Sequence, residues 1–222
     1  MKTHLLAILT IALLVLTGCG GAQQDVTTQQ PTQETANEEA KTAPALTGAA
    51  SELKGLMAAK GTLKYQITYD VLTKTEGQEM RSTMIQYFDG ANRFRTDITV
   101  KGVSEMRTYV INGAATSCAK VNNKWMCNSA EASVDESRET EEAIVEGTSN
   151  YVITADGTKQ LLGKIHNCYK LVDAPNAVTL RYCYSSDGVP VYISTEMSEA
   201  TTEMTALLYG KDVAETVWTI PI

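Results

Sequence analysis

Histidine is almost missing from this chain. There are two, and one of them, His4, falls within the first eighteen residues. Little is left for a histidine-based metal or catalytic site. The signatures G-x-S-x-G, H-E-x-x-H and the P-loop are also absent, which removes the common hydrolase, zinc-protease and nucleotide-binding readings. No C-x-x-C pair occurs either, which argues against a four-cysteine zinc site and a dithiol redox catalyst. No D-x-D-x-D-G calcium loop is present. An apolar run of transmembrane length is lacking too, since a spanning helix needs about 20 apolar residues.

The longest apolar run is residues 5–16, LLAILTIALLVL, preceded by Lys2. Its length suits the hydrophobic region of a signal peptide. It ends in Leu16-Thr17-Gly18-Cys19, which matches the lipobox pattern of prokaryotic lipoproteins at every position. That resemblance implies cleavage before Cys19 and a diacylglycerol on its thiol. The alternative is an ordinary signal peptide followed by an incidental cysteine. Two acyl chains hold a protein stably on a membrane where one does so only marginally. The membrane is therefore the expected partner, reached through the lipid anchor, and the expected location is membrane-anchored and extracytoplasmic.

The formal net charge is −7. Removing residues 1–18 takes away Lys2 and no acid, so −7 becomes −8. An acidic chain with scattered lysines is a poor candidate for nucleic acid or for docking on anionic lipid headgroups.

Residues 20–46 are rich in Gln, Thr, Ala and Glu, with no aromatic side chain. Such a stretch cannot bury a core and is expected to be a disordered tether, with a span of roughly 30 Å. The sequence thus divides into a signal peptide (1–18), a lipidated cysteine with its tether (19–46), and one domain (47–222). Roughly 175 residues are enough for one real core.

The domain opens with a short helix. Leu53, Leu56 and Met57 share one side, Lys54 and Lys60 the other, and Gly61 stops it. In residues 62–72, Leu63, Tyr65, Ile67, Tyr69 and Val71 alternate with polar residues, a strand with one buried face. Further strands are expected over 80–88, 93–101, 106–111, 114–121 and 124–127. They are punctuated by Asp89-Gly90, Gly102, Asn112-Gly113 and Asn122-Asn123. Strands resume over 151–154, 159–171, 178–185, 189–197, 202–209 and 216–220, with Asp156-Gly157 and Asp187-Gly188 read as turns. The result is a mainly β (α+β) domain, an antiparallel meander of about eleven strands.

Between the two runs lie Glu131, Asp135, Glu136, Glu139, Glu141, Glu142 and Glu146, with Arg138 the one base. The plain reading of 129–149 is a solvated helix or loop over the sheet. A weak divalent-cation site is the sharper alternative.

Setting Cys19 aside leaves Cys118, Cys127, Cys168 and Cys183, an even number that suits two disulfides in an exported chain. With Asn122-Asn123 as a two-residue loop, Val121 pairs with Lys124 and Cys118 falls opposite Cys127. With residues 174–177 as a four-residue loop, Asp173 pairs with Val178 and Cys168 falls opposite Cys183. The expected bridges are Cys118–Cys127 and Cys168–Cys183.

Several features together resemble the LolA/LppX-like lipoprotein-carrier superfamily: the lipobox, the tether, the helix leading into a Tyr-rich strand and the long meander. Two local patterns add to the likeness. They are Cys183-Tyr184-Ser185-Ser186-Asp187-Gly188-Val189-Pro190-Val191-Tyr192 and the closing Val217-Trp218-Thr219-Ile220-Pro221. The resemblance covers residues 50–222. It implies an incompletely closed half-barrel around an apolar cavity, with helices as a lid, and binding of acyl chains or another apolar ligand.

On that reading the inward face is Tyr65, Ile67, Tyr69, Met84, Phe94 and Ile98, although the same residues suit a plain filled core. Three roles follow from the sequence. The leading one is a non-enzymatic module that binds lipid or another apolar small molecule. The second is a structural or protein-interaction lipoprotein, its partner unspecified. The third is an enzyme using paired carboxylates. No cofactor, metal or catalytic residue is assigned, and His166, beside Cys168, reads as a satisfied strand histidine.

Overall fold

A computed structural model of the chain describes residues 48–61, 63–90, 92–131 and 151–221. The readings made for the signal peptide, Cys19, the tether and the acidic segment from residue 132 lie outside the described residues.

The described chain begins with helix α1 (Gly48–Lys60). Eleven strands follow: β1 (Lys64–Thr75), β2 (Gln78–Asp89), β3 (Arg93–Val100), β4 (Ser104–Ile111), β5 (Ala114–Val121), β6 (Lys124–Glu131), β7 (Val152–Leu161), β8 (Lys164–Asp173), β9 (Val178–Tyr184), β10 (Pro190–Glu196) and β11 (Ala200–Gly210). A single 3₁₀ turn, Glu215–Trp218, comes last.

All eleven strands form one antiparallel sheet in the order β6-β5-β4-β3-β2-β1-β11-β10-β9-β8-β7. Two local meanders, β1–β6 and β7–β11, are joined where the first strand pairs with the last. Strands β6 and β7 are the two edges, so the sheet is an open half-barrel.

Local chemistry explains most of the elements. Strand β1 buries Tyr65, Ile67, Tyr69 and Val71 at alternate positions, as period two requires. Asn112-Gly113 and Asn122-Asn123 carry positive φ at both positions. That is the type I′ geometry whose twist matches a hairpin. The second of these turns sets Val121 opposite Lys124 and Cys118 opposite Cys127.

Three sequence expectations need correction. Residues 159–171 are not one strand, because Leu162 and Gly163 both adopt positive φ and turn the chain between β7 and β8. A leucine there is uncommon, which hid the turn. Asp156-Gly157 is not a turn but a register shift inside β7, between Ala155 and Thr158. Residues 216–220 do not form a closing strand. The segment turns as a 3₁₀ element and buries Trp218. In addition, Ser129 to Glu131 extend β6 rather than belonging to the acidic interruption.

Two apolar clusters hold the domain together. The larger joins Tyr65, Ile67, Tyr69 and Val71 to Cys168, Cys183, Val189, Val191 and Ala206. The second packs Leu53 of α1 on Tyr169, Leu171, Leu180 and Tyr184, with Leu56 and Met57 at its margin. The helix therefore covers the β8–β9 region of the sheet.

Candidate functional site

The strand register brings the six sequence-selected residues onto one face of β1–β3. Tyr69 lies opposite Met84, and Met84 opposite Ile98. Tyr65 lies opposite Phe88, and Phe88 opposite Phe94. Ile67 sits between these two rows and faces Gln86. The six divide by burial: Tyr65, Ile67 and Tyr69 are buried in the larger cluster, whereas Met84, Phe94 and Ile98 are half-buried.

The same register extends the rows across the sheet, a pattern that no single strand displays. The first runs Tyr69, Met84, Ile98, Met106, Ala119, Met126. It begins at the fully buried Tyr69 and ends at Met126 on β6, an edge strand among the described residues, 62% exposed. The second runs Tyr65, Phe88, Phe94, Val110, Ala115. Between them runs a polar row: Gln86, Thr96, Thr108, Ser117, Asn128. Two contacts are made within the row or to its flank: Thr108 and Ser117 hydroxyls lie 3.5 Å apart, and Gln86 Nε2 lies 3.7 Å from Met84 Sδ. Two apolar bands flanking a polar stripe suit an amphiphile better than a purely apolar body. Methionine adds an adaptable, polarizable surface.

Tyr69 anchors the inner end. Burial, with Tyr65 beside it, holds its phenol well above the ordinary value. The group stays neutral and donates to the Pro190 carbonyl at 2.6 Å. That bond ties β1 to the start of β10.

The opposite face of β2–β6 is differently made. Arg95 is buried, its guanidinium between the rings of Tyr87 (5.1 Å) and Tyr109 (5.0 Å). It donates to both oxygens of Asp97 and to the Val217 carbonyl. Burial alone lowers the Arg95 pKa, but the Asp97 carboxylate outweighs it and the group is more firmly charged than usual. Tyr109 donates to the Thr219 carbonyl at 3.3 Å. Arg93 stacks on Trp218 at 4.8 Å and binds Asp89 and Glu215. Residues 215–221 thus cross this face, held at the Val217 and Thr219 carbonyls and at the Glu215 side chain. Toward their end an open groove of about 320 Å³ is lined by Thr116, Trp125, Cys127, Ser129, Ile220 and Pro221. The sequence reading missed this arrangement; its one local signal was the out-of-phase alternation of Arg93, Arg95, Asp97 and Thr99 in β3.

The cysteines occupy cross-strand positions. Cys118 is bonded to Cys127 and Cys168 to Cys183, each pair with Cα atoms 4.0 Å apart. His166 is buried, its ring nitrogens 3.2 Å from the Tyr184 carbonyl and 3.0 Å from the Leu161 carbonyl. It braces the β7–β8 hairpin. Among the described residues no group of three His, Cys, Asp or Glu side chains is placed to hold a metal. No described helix is long and apolar enough to cross a membrane.

No family model matches the chain, and no curated protein matches it. Among solved structures it aligns with MucB at a TM-score of 0.52 and 13% identity, over 78% of this chain and 63% of that one. The chain therefore spans less than two thirds of MucB's length. MucB in complex with MucA(peri) aligns at 0.51 and 12%, over 77% and 59%. An uncharacterized conserved protein of Thermus thermophilus aligns at 0.51 and 11%, over 76% of this chain and 91% of that one. The lipoprotein LppX of Mycobacterium tuberculosis aligns at 0.47 and 13%, over 75% and 97%. The likeness is one of fold: the chain is an open antiparallel half-barrel of the kind seen in MucB and the Thermus protein.

Proposed function

We propose that this chain is an extracytoplasmic lipoprotein, anchored through Cys19, whose domain binds a lipid or another amphiphilic apolar molecule without catalysing a reaction. The observation that carries the reading is the row from Tyr69 through Met84, Ile98 and Met106 to Met126. It is one apolar band, buried at one end and open at the other, with a polar stripe beside it for a headgroup. Met84, Phe94 and Ile98 are the ligand-contacting residues; Tyr65, Ile67 and Tyr69 form the floor on which they rest. The lipobox supports the anchor, residues 19–46 serve as its tether, and residues 47–222 form the domain.

The test is a titration with a lipophilic fluorescent dye. The wild-type domain enhances the dye, and Ile98→Asp lowers that enhancement severalfold while the far-ultraviolet circular dichroism is retained. Equal enhancement by both proteins contradicts the site.

A second reading has one observation behind it. Tyr65, Ile67 and Tyr69 pack into a filled cluster, and MucB, which shares the fold, is known in complex with MucA(peri). In that reading the domain holds no ligand and engages a protein partner through its surface.

A further inference from the structure

Strands β3 and β5 each pair antiparallel with β4, so the turns that follow them project from the same end of the sheet. The two hairpin tips lie two strand spacings apart, about 10 Å. Each exposes apolar side chains. Val103, in the β3–β4 turn, is 65% exposed. On the β5–β6 hairpin, Val121 is 47% and Met126 62% exposed. The pairings Ala119 with Met126 and Val121 with Lys124 put Val121, Lys124 and Met126 on one face.

The charge here runs against that of the whole chain. Residues 100–104 and 120–126 contain three lysines and no acid. Lys120 is neutralised by Glu105 at 2.7 Å. Lys101 and Lys124 are exposed, and neither has an ion pair among the described residues. The tips therefore combine exposed apolar groups with two cations that have no ion pair among the described residues, in a protein whose formal charge is −7. At physiological salt, charges further off than about 8 Å are largely screened, so a surface meeting these tips senses Lys101 and Lys124 directly.

We propose that the two tips, residues 101–103 and 121–126, are a docking surface for an anionic lipid bilayer. The shape selects this occupant. A specific protein interface buries about 800 Å² on each partner, which three side chains on two convex turns do not supply. An interfacial contact needs only a few apolar groups set into the headgroup region and cations against it. Met126 is also the outer end of the apolar row on the inner face, whereas Val103, Val121, Lys101 and Lys124 lie outside that row, so the lysine pair tests the contact apart from any ligand. The contact is independent of the acyl group, and it orients the domain rather than merely confining it.

The experiment is flotation of the chain from residue 19, carrying Cys19→Ser so that neither leader nor acyl group contributes. Vesicles of phosphatidylcholine alone are compared with vesicles rich in phosphatidylglycerol. The wild type floats with the anionic vesicles and is released by high salt. Lys101→Gln with Lys124→Gln lowers the partition coefficient roughly 20- to 30-fold, from about fivefold per lysine at an anionic surface. Val103→Asp with Met126→Asp abolishes flotation. Ile165→Asp, at a side chain 73% exposed at the start of β8, leaves it unchanged. Should the aspartate pair unfold the domain, the lysine pair still decides, because both side chains are exposed. Failure of the wild type to float with anionic vesicles overturns the proposal. So does binding that survives the loss of both lysines, or that Ile165→Asp weakens equally.

Discussion

Gly188 lies directly beneath the backbone of α1: a Cβ built on it would stand 1.9 Å from the Leu56 carbonyl oxygen and 3.2 Å from the Lys60 amide nitrogen. Its φ is +80°, so the position demands glycine twice, once for the turn between β9 and β10 and once for the helix resting on it. This contact fixes the height of α1 over the sheet and lets Leu53 reach Tyr169 and Leu171. Gly188→Ala should therefore cost at least about 2 kcal/mol, from the left-handed backbone penalty and the overpacking together. Urea unfolding measures it. Unchanged stability would mean that α1 is not seated there.

Arg95 is the peg of the C-terminal segment. Its side chain is 8% exposed and paired with Asp97, itself 15% exposed. Truncating one partner of a buried pair leaves the other charge uncompensated, and the expected loss for Arg95→Ala is about 3 kcal/mol. Lysine should not restore it, since one ammonium cannot span both Asp97 oxygens and the Val217 carbonyl. The specific signature is a red shift of Trp218 emission and faster proteolysis after residue 210. Loss of stability without these changes would place the role of Arg95 elsewhere.

The same segment should respond to acid. The Glu215 carboxyl is held below its ordinary value by hydrogen bonds from Arg93 and Lys64. For Asp89, burial pushes the carboxyl up, but the bonds from Arg93 more than offset it and the net direction is down. Groups depressed in the folded state stabilise it above the unfolded carboxylate value, about 4, and lose that contribution as the pH falls through the folded values. Docking of residues 215–221 should therefore be constant from neutral pH to about 4 and loosen only below that. Fluorescence against pH, with Glu215→Gln as the comparison, tests this. The variant should lose part of the acid transition and show less docking at neutral pH. A wild-type transition centred above the ordinary carboxylate value would contradict it.

The two disulfides should differ in worth. They close segments separated by 9 and 15 residues, which the chain-entropy account values at about 2.6 and 3 kcal/mol. Chain entropy hardly separates them. Packing does: Cys168 and Cys183 belong to the larger core cluster, whereas Cys127 lies on the edge strand, facing the groove. Replacing Cys168 and Cys183 by alanine should destabilise the domain more than replacing Cys118 and Cys127, by about 1 kcal/mol or more for the added cavity. Equal losses in thermal unfolding would show that chain entropy alone is at work.

Much of the fold was legible because the signals are local. Alternation marks β1 without ambiguity, and Asn112-Gly113 and Asn122-Asn123 fix two hairpins and their registers. The Leu162-Gly163 turn was not legible, since leucine rarely takes positive φ and the surrounding residues still alternate. Nor was the fate of residues 216–220. Val217, Trp218 and Ile220 look strand-like, yet what decides their conformation is Arg95, Tyr109 and Arg93, more than a hundred positions away. The pairing of β1 with β11 is equally non-local.

The candidate site was half legible. Period two selected the correct face of β1, β2 and β3, but it cannot tell floor from lining. Tyr65, Ile67 and Tyr69 are core, and only Met84, Phe94 and Ile98 remain accessible. The rows that extend to Met106 and Met126 depend on the register of five hairpin pairings at once, so no window of sequence displays them.

The most direct test is native mass spectrometry of residues 45–222, a compact unit in its own right, produced with both disulfides and then extracted with organic solvent. The account predicts a co-purified lipid or other amphiphile at fixed stoichiometry, lost in Ile98→Asp while the disulfides and the fold are kept. A clean unliganded mass that stays clean after incubation with lipid would contradict it, and would favour the filled-core reading with a protein partner.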